Sequence, residues 1–289
     1  MHRVALATYR DLPLLCDDDR LLLDYLNRHG VQAEAVVWDA DDTAWRSFDC
    51  VVLRSCWDYH LRPTEFAEWV KGLAAAQVPM LNPAPTVLWN MDKAYLQDLD
   101  RDGVKVVPTV WLRNGEPVDL HAILERHAWD EAVIKPSISA TAFKTWRTTL
   151  SEASEHDAEL QQMLAGADLL VQPFIKEVAE KGEWSLVFLG GEYSHAVLKR
   201  PREGDFRVQE KFGGSARRET PPDELVAQAS DVLARSGKPW SYARVDGVDV
   251  EGELVLMELE LIEPYLFLGE HPQAAQRFAE AIMGHLASG

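Results

Sequence analysis

The chain has 289 residues, 47% hydrophobic and 26% charged, the make-up of a folded globular protein with one large or two to three smaller domains. Its formal net charge of −18 argues against a nucleic-acid or anionic-membrane partner, because both need a basic surface, so any phosphate site must be a local gathering of Lys and Arg. No apolar run approaches the ~20 residues of a membrane span, and Cys16, Cys50 and Cys56 form no Cys-x-x-Cys pair or disulfide framework, which points to a reducing, cytoplasmic setting.

The first ninety residues alternate strand and helix signals. Residues 4–8 read as a short buried strand, and Arg10 and Asp11 follow too soon for a signal peptide. Asp17 to Asp19 are N-cap candidates for a helix over 21–26 that stops at Gly30. Residues 31–38 and 50–53 predict two more strands. The latter delivers Arg54-Ser-Cys-Trp-Asp-Tyr59 at its carboxyl end, the edge where open α/β sheets bind ligands. Arg54 and Asp58 are therefore candidate substrate groups, with an internal Arg54–Asp58 ion pair as the competing account. Cys56 is better explained as a small buried hydrophobe than as a nucleophile, since no activating His lies in its segment. Pro63 suits the first position of a helix running to about Ala76, and 78–81 closes a small α/β domain that lacks a glycine-rich dinucleotide fingerprint.

Two prolines in Asn82-Pro-Ala-Pro-Thr86 predict a boundary. Trp89-Asn-Met-Asp-Lys-Ala-Tyr-Leu96 opens a helix, 104–110 predicts a strand, and 132–135 a strand ending in Lys135. A single lysine is ordinarily a solvated charge. Lys135 departs from that because it follows Ala-Val-Ile, and a lysine on a buried strand wants an anionic partner. The Ser and Thr hydroxyls of 137–142 can bind phosphate oxygens. Residues 169–175 by themselves suggest an ordinary core strand. Residues 182–189, the Gly190-Gly191 turn and 192–199 predict a hairpin carrying Glu183, His195 and Lys199. The long stretch between Pro201 and Pro221, with Arg207 and Phe212-Gly-Gly214, suits a lid, though plain surface mobility would also explain it.

Tyr242-Ala-Arg-Val-Asp-Gly-Val-Asp249 and Val255-Leu-Met-Glu-Leu-Glu-Leu-Ile-Glu-Pro264 read as strands. Alternation puts Arg244 and Asp246 on one face, and likewise Glu258 and Glu260. A solvated face explains Glu251 and Glu253, but Glu258 and Glu260 sit among Met257, Leu259, Leu261 and Ile262. Hard oxygen ligands of this kind suit Mg²⁺ completed by nucleotide phosphates, and the arginine would cover developing charge.

Arg244-Val-Asp246, followed twelve residues later by Glu258-Leu-Glu260, resembles the metal-binding end of the ATP-grasp superfamily of carboxylate-amine ligases, whose last ligand is more often Asn. The resemblance spans nearly the whole chain and implies an α/β (α+β) protein: a Rossmann-like pre-ATP-grasp domain over 1–84, a central ATP-grasp subdomain over 85–172 and a C-terminal subdomain over 173–289. It implies that ATP is held by Lys93 and Lys135, by a hinge at Gln172, Pro173, Phe174 and Ile175, by Glu183 on the ribose and by Lys199. Asp246, Glu258 and Glu260 would hold Mg²⁺, with Mn²⁺ an acceptable substitute, and Arg244 and Arg207 would be catalytic.

Arg54 to Tyr59, Trp89-Asn90, Ser194-His195 and Glu260 to Phe267 resemble the branch that contains the cycloserine-ring-forming ligase, which closes an O-ureidoserine on itself; His195 is then a candidate substrate group or simply a strand residue. The implied partners are ATP and a small carboxylate, and a homodimer is allowed. An ATP-binding regulator without turnover and a small-molecule kinase are the competing functions.

Overall fold

The computed structural model describes residues 1–140, 142–202, 207–208 and 213–288; Thr141 and most of the expected lid, 203–206 and 209–212, lie outside them. Strands β1 (Arg3–Thr8), β2 (Gln32–Val37) and β3 (Cys50–Ser55) form a parallel sheet in the order β2-β1-β3. Both faces of a parallel sheet are covered, so β1 and β3 are apolar at successive positions. Val4, Leu6, Cys50 and Val52 pack with Leu22 and Leu26 of helix α1 (Asp17–Arg28). Ala5, Ala7, Val51 and Leu53 pack on the other side with Phe66, Val70 and Leu73 of α2 (Pro63–Ala75).

One local expectation is corrected here: the N-cap of α1 is Cys16, whose Sγ accepts from the Asp19 N–H at 3.5 Å, and the three aspartates fill the first helical turn. Residues 78–81 join the sheet through a bridge between Val51 and Met80.

Helix α3 (Ala84–Asn90) begins inside the stretch expected to break structure, because Pro83 is its N-cap and Pro85 lies in the first turn, where no N–H is needed. The chain turns at Met91 to Ala94 and resumes as α4 (Tyr95–Arg101). The strand expected over 104–110 is divided: Val106 bridges to Leu256, and a separate strand, β4 (Val110–Leu112), joins another sheet.

Next come α5 (Leu120–His127), β5 (Glu131–Pro136), β6 (Trp146–Thr149), α6 (Asp157–Leu164) and β7 (Leu169–Pro173). Their strands form an antiparallel sheet in the order β4-β7-β5-β6. Ala132 and Ile134 face Leu120, Leu124, Leu160 and Leu164 of the two helices. Val133 and Lys135 therefore face the other way.

After the short α7 (Lys176–Glu180) come β8 (Glu183–Leu189), β9 (Glu192–Arg200), β10 (Ser215–Arg218), α8 (Asp223–Arg235), β11 (Tyr242–Val250), β12 (Glu253–Glu260) and α9 (Ala274–Ser288). The sheet order is β10-β9-β8-β11-β12. One face buries Leu186, Phe188, Ala243 and Val245 against α4 and α8. Beyond it, Phe278 and Ile282 of α9 pack with Val187, Tyr242 and the apolar residues of α1. Packing thus differs from a strictly sequential division at 84/85 and 172/173. Residues of α4 belong to the core of the third sheet, and α9 packs with the first domain. Among the described residues no helix is long and apolar enough to cross a membrane.

Candidate active site

The polar face of the third sheet is assembled by register. Lys199 lies opposite Glu183, Ser185 opposite Asp246, Asp246 opposite Glu258, and Arg244 opposite Glu260. Directly opposed residues share a face and stand within side-chain reach, so four adjacent strands present one charged surface. Two glycines shape it. Gly182 precedes Glu183 with φ +98°, and a Cβ there would meet the Lys199 carbonyl at 2.7 Å. Gly247 follows Asp246 at a register shift, where a Cβ would lie 2.8 Å from the Val255 carbonyl.

Arg244 donates from Nε to both oxygens of Asp246 (2.9 and 3.1 Å), from Nη2 to Asp246 (2.8 Å) and Glu260 (2.5 Å), and from Nη1 to the Tyr265 carbonyl (2.8 Å). Ser185 donates to Asp246 at 2.5 Å, while Lys199 donates to Glu183 at 2.5 Å and stands 3.6 Å from Asp246. Burial works against ionisation of Asp246, but Arg244, Lys199 and Ser185 overcome it and hold the carboxyl down at about 2. Glu260 behaves oppositely. Burial, reinforced by Asp246, Glu258 and Glu263, outweighs Arg244 and pushes it up to about 8. Burial and the Glu258 charge likewise push Glu263 up to about 7. Glu258 is held below the usual carboxylate range because Lys93 and Lys135 outweigh its burial.

This face forms one wall of a cavity of about 410 Å³. Lys93, between α3 and α4, contacts Glu258 at 2.9 Å and donates to the Ser139 carbonyl at 2.7 Å. Lys135 enters from β5 and makes no hydrogen bond or ion pair with the described residues; burial, aided by the Lys93 charge, lowers its pKa. Val107, Val133, Phe174, Ile175, Met257 and Leu259 supply an apolar wall.

The donor set tests only partly as a magnesium site. Glu258 and Glu260 are hard oxygen donors, 31% and 24% exposed at the side chain and facing the cavity. Both oxygens of Asp246 are committed to Arg244, so Asp246 joins them only if those bonds rearrange. Among the described residues no three His, Cys, Asp or Glu side chains already converge on a cation position.

Comparison with known proteins agrees with this architecture. A family profile described as the N-terminal domain of D-cycloserine synthetase DcsG matches residues 4–82. The cycloserine biosynthesis protein DcsG of Streptomyces lavendulae is 32% identical over 282 residues, 92% of each chain. The crystal structure of D-cycloserine synthetase DcsG superimposes with a TM-score of 0.87 at 30% identity, covering 98% of this chain and 99% of that one. The chain belongs to the ATP-grasp ligases of the DcsG family. D-alanine–D-alanine ligase from Bacillus anthracis complexed with ATP shares the fold at a TM-score of 0.70 and 14% identity, covering 100% and 97% of the two chains. This ATP-grasp ligase is thus an enzyme of the ADP-forming carbon–nitrogen class.

Within the ligase, Lys93, Lys135, Gln172, Pro173, Phe174, Ile175, Glu183, Lys199, Arg207, Arg244, Asp246, Glu258 and Glu260 all line the cavity. The Gln172 side chain donates to Thr109 at 2.9 Å. Three sequence candidates are not brought to the cavity wall. Arg54 is buried against Asp19 at 2.9 Å, not Asp58. Asp58 accepts from Arg62 at 2.6 Å and from Trp38 at 2.9 Å. His195 donates from Nε2 to the carbonyls of Leu266 and Phe267 at 3.0 and 3.1 Å, and burial lowers its pKa to about 4.

The Arg54 to Tyr59 segment does reach the cavity, through Trp57 and Tyr59. Period-two reading fails there because a 3₁₀ turn follows the strand. Glu263, Tyr265 and Phe267 also line it. They lie past the end of β12, where strand alternation no longer signals direction, and Glu263 is out of step with Glu258 and Glu260.

Proposed function

We propose that this ligase uses ATP to activate a small-molecule carboxylate as an acylphosphate for attack by a nitrogen nucleophile, and that its substrate is an O-ureidoserine-like amino acid closed on itself to a cycloserine ring. A substrate carboxylate oxygen attacks the γ-phosphorus, the bond to the β-phosphate oxygen breaks and ADP leaves. The nitrogen then adds to the acyl carbon, loses its proton, and the carbon–oxygen bond to phosphate breaks; with O-ureidoserine the new ring still carries the carbamoyl group on that nitrogen, and water must remove it as carbon dioxide and ammonia to leave cycloserine. Lys135 is the observation that carries the ATP reading: an enclosed ammonium on a cavity wall, within the field of Glu258 but making no hydrogen bond or ion pair with a described residue, is completed by an anion from outside.

Lys93 and Lys199 add positive charge along the same wall. The apolar residues beside Phe174 and Ile175 suit a base, with Glu183 assigned to the ribose. Arg244 lies beside both carboxylate strands and is assigned to the oxyanion of the tetrahedral intermediate, while Arg207 acts by closure of its loop. Magnesium, held by Glu258 and Glu260 and by Asp246 if it is released from Arg244, would supply further charge neutralisation at the phosphates. The resemblance to DcsG in both sequence and fold supports the ring-forming substrate.

The test is a screen of amino acids and ureido amino acids for substrate-dependent release of ADP together with free phosphate, followed by mass analysis of the product. A ligase yields both, with the product lighter than O-ureidoserine if the ring closes. ADP release with phosphate retained on the product would make the protein a kinase, and absence of substrate-dependent turnover across the screen would favour a regulator.

A further inference from the structure

Five consecutive backbone carbonyls beyond β12 each accept a hydrogen bond from a different side chain. Leu261 O accepts from Asn82 at 2.8 Å, Ile262 O from the Tyr242 hydroxyl at 2.8 Å and Glu263 O from Trp57 Nε1 at 3.2 Å. Pro264 O accepts from Arg54 Nη2 at 2.8 Å, and Tyr265 O from Arg244 Nη1 at 2.8 Å. A segment without regular structure is thereby fixed at every residue, from both the N-terminal domain and the third sheet. Such fastening is what holds a binding group to a single geometry.

The side chain held at the centre of this segment is Glu263. It is 7% exposed and lines the cavity, yet its carboxyl makes no hydrogen bond or ion pair with any described residue. An enclosed carboxylate without a partner is costly unless something completes it. Trp57 and Tyr265, with ring centroids 6.3 Å apart, also line the cavity, and aromatic faces attract cations as a carboxylate does. Arg244 stands across the same stretch as the cation for the reacting end of a substrate.

We infer that Glu263 is the specificity-determining residue that receives the ammonium group of an amino-acid substrate, with Trp57 and Tyr265 alongside, while the substrate's carboxylate reacts near Arg244. This rests on the ligase reading above but not on ring formation. Arg54 enters the site as a positioning residue, through the Pro264 carbonyl. The arrangement selects an α-amino acid over the corresponding simple acid, because Arg244, Arg54 and Lys93 act on Glu263 without bonding to it and only the amino acid brings a cation that can.

Calorimetry on the full-length protein with Mg²⁺ and a non-hydrolysable ATP analogue tests it, using both enantiomers of O-ureidoserine and alanine against 3-(ureidooxy)propionate and propionate. Wild type should bind at least one amine-bearing ligand tenfold or more tightly than its des-amino counterpart. Glu263→Gln should lose that preference, with nucleotide affinity within twofold, and Glu263→Asp should keep part of it; circular dichroism and Tm verify that both variants are folded. The inference is overturned if wild type shows no preference for the amine, if the preference survives in Glu263→Gln, or if that variant chiefly raises the Mg²⁺ concentration for half-maximal ADP release, which would make Glu263 a metal ligand. Amine preference for alanine without turnover of O-ureidoserine would remove the cyclisation reading and leave this one standing.

Discussion

Arg54 and Arg244 are both enclosed arginines, each paired with an aspartate and each donating to a carbonyl of the 261–265 segment. The surroundings of the first are closed. Its donors meet Asp19, Leu53 O and Pro264 O, the second oxygen of Asp19 accepts from Ser55 at 2.7 Å, and the side chain is 1% exposed. Around Arg244, five carboxylates (Glu183, Asp246, Glu258, Glu260 and Glu263) meet five cations (Lys93, Lys135, Lys199, Arg207 and Arg244) at an open cavity, and neither Lys135 nor Glu263 makes a hydrogen bond or ion pair with a described residue. A charge matched within the protein holds the chain in place. A charge left open toward a cavity is completed by a ligand.

The comparison breaks most visibly at Arg54. Arg54→Met leaves Asp19 buried without its cation, which typically costs about 3–5 kcal/mol, and urea unfolding should show a loss of that size. A change below about 1 kcal/mol would mean that the pair is not holding the domain. Arg244→Met should instead act on turnover. A kcat reduction on the order of 10² to 10³-fold is expected, the scale for removing an oxyanion donor, with ATP affinity largely kept. If ATP binding fell while kcat held, Arg244 would be a phosphate-binding group.

Lys135→Ala tests the open side of the comparison more gently. Losing a charge-assisted phosphate contact costs a few kcal/mol, so the Kd for ATP should rise at least tenfold by calorimetry, and an unchanged Kd would return Lys135 to a structural role. The narrowest effect belongs to His195, a closed group whose contribution shows only in the pH dependence of stability. It is neutral in the fold down to about pH 4 but takes a proton from about pH 6.5 downward once unfolded. Unfolding therefore binds a proton between these values, and stability should fall as pH drops from 6.5 toward 4, by up to on the order of 3 kcal/mol from this residue. His195→Gln should flatten that part of the stability profile, measured by Tm against pH; an unaltered slope would contradict the buried neutral imidazole.

Much of the site was legible as residue types at strand spacing. Arg244 and Asp246, and Glu258 and Glu260, follow from strand alternation, a local rule, whereas Glu183 and Lys199 are marked by the family resemblance on a hairpin that the residues themselves predict. Lys135 stands out because its neighbours are apolar. The three helices over Asp157–Leu164, Asp223–Arg235 and Ala274–Ser288 carry buried leucines, isoleucine and phenylalanine at helical spacing, although they play no part in the argument from motifs. The placements of Arg54, Asp58 and His195 were not legible, because a sequence shows that a charge is present and not which distant residue meets it.

The sequence by itself determined the elements, the period-two faces and the order of charged groups along the chain, since these depend on backbone geometry and neighbours within a few residues. Only the tertiary structure decided which charges close on one another and which stay open. Arg54 meets Asp19 across 35 residues and Pro264 across 210, and the 261–265 carbonyls are fastened by side chains from segments as remote as Trp57 and Asn82. Partner choice of that kind is set by packing between distant parts of the chain, which leave no periodic trace in the sequence.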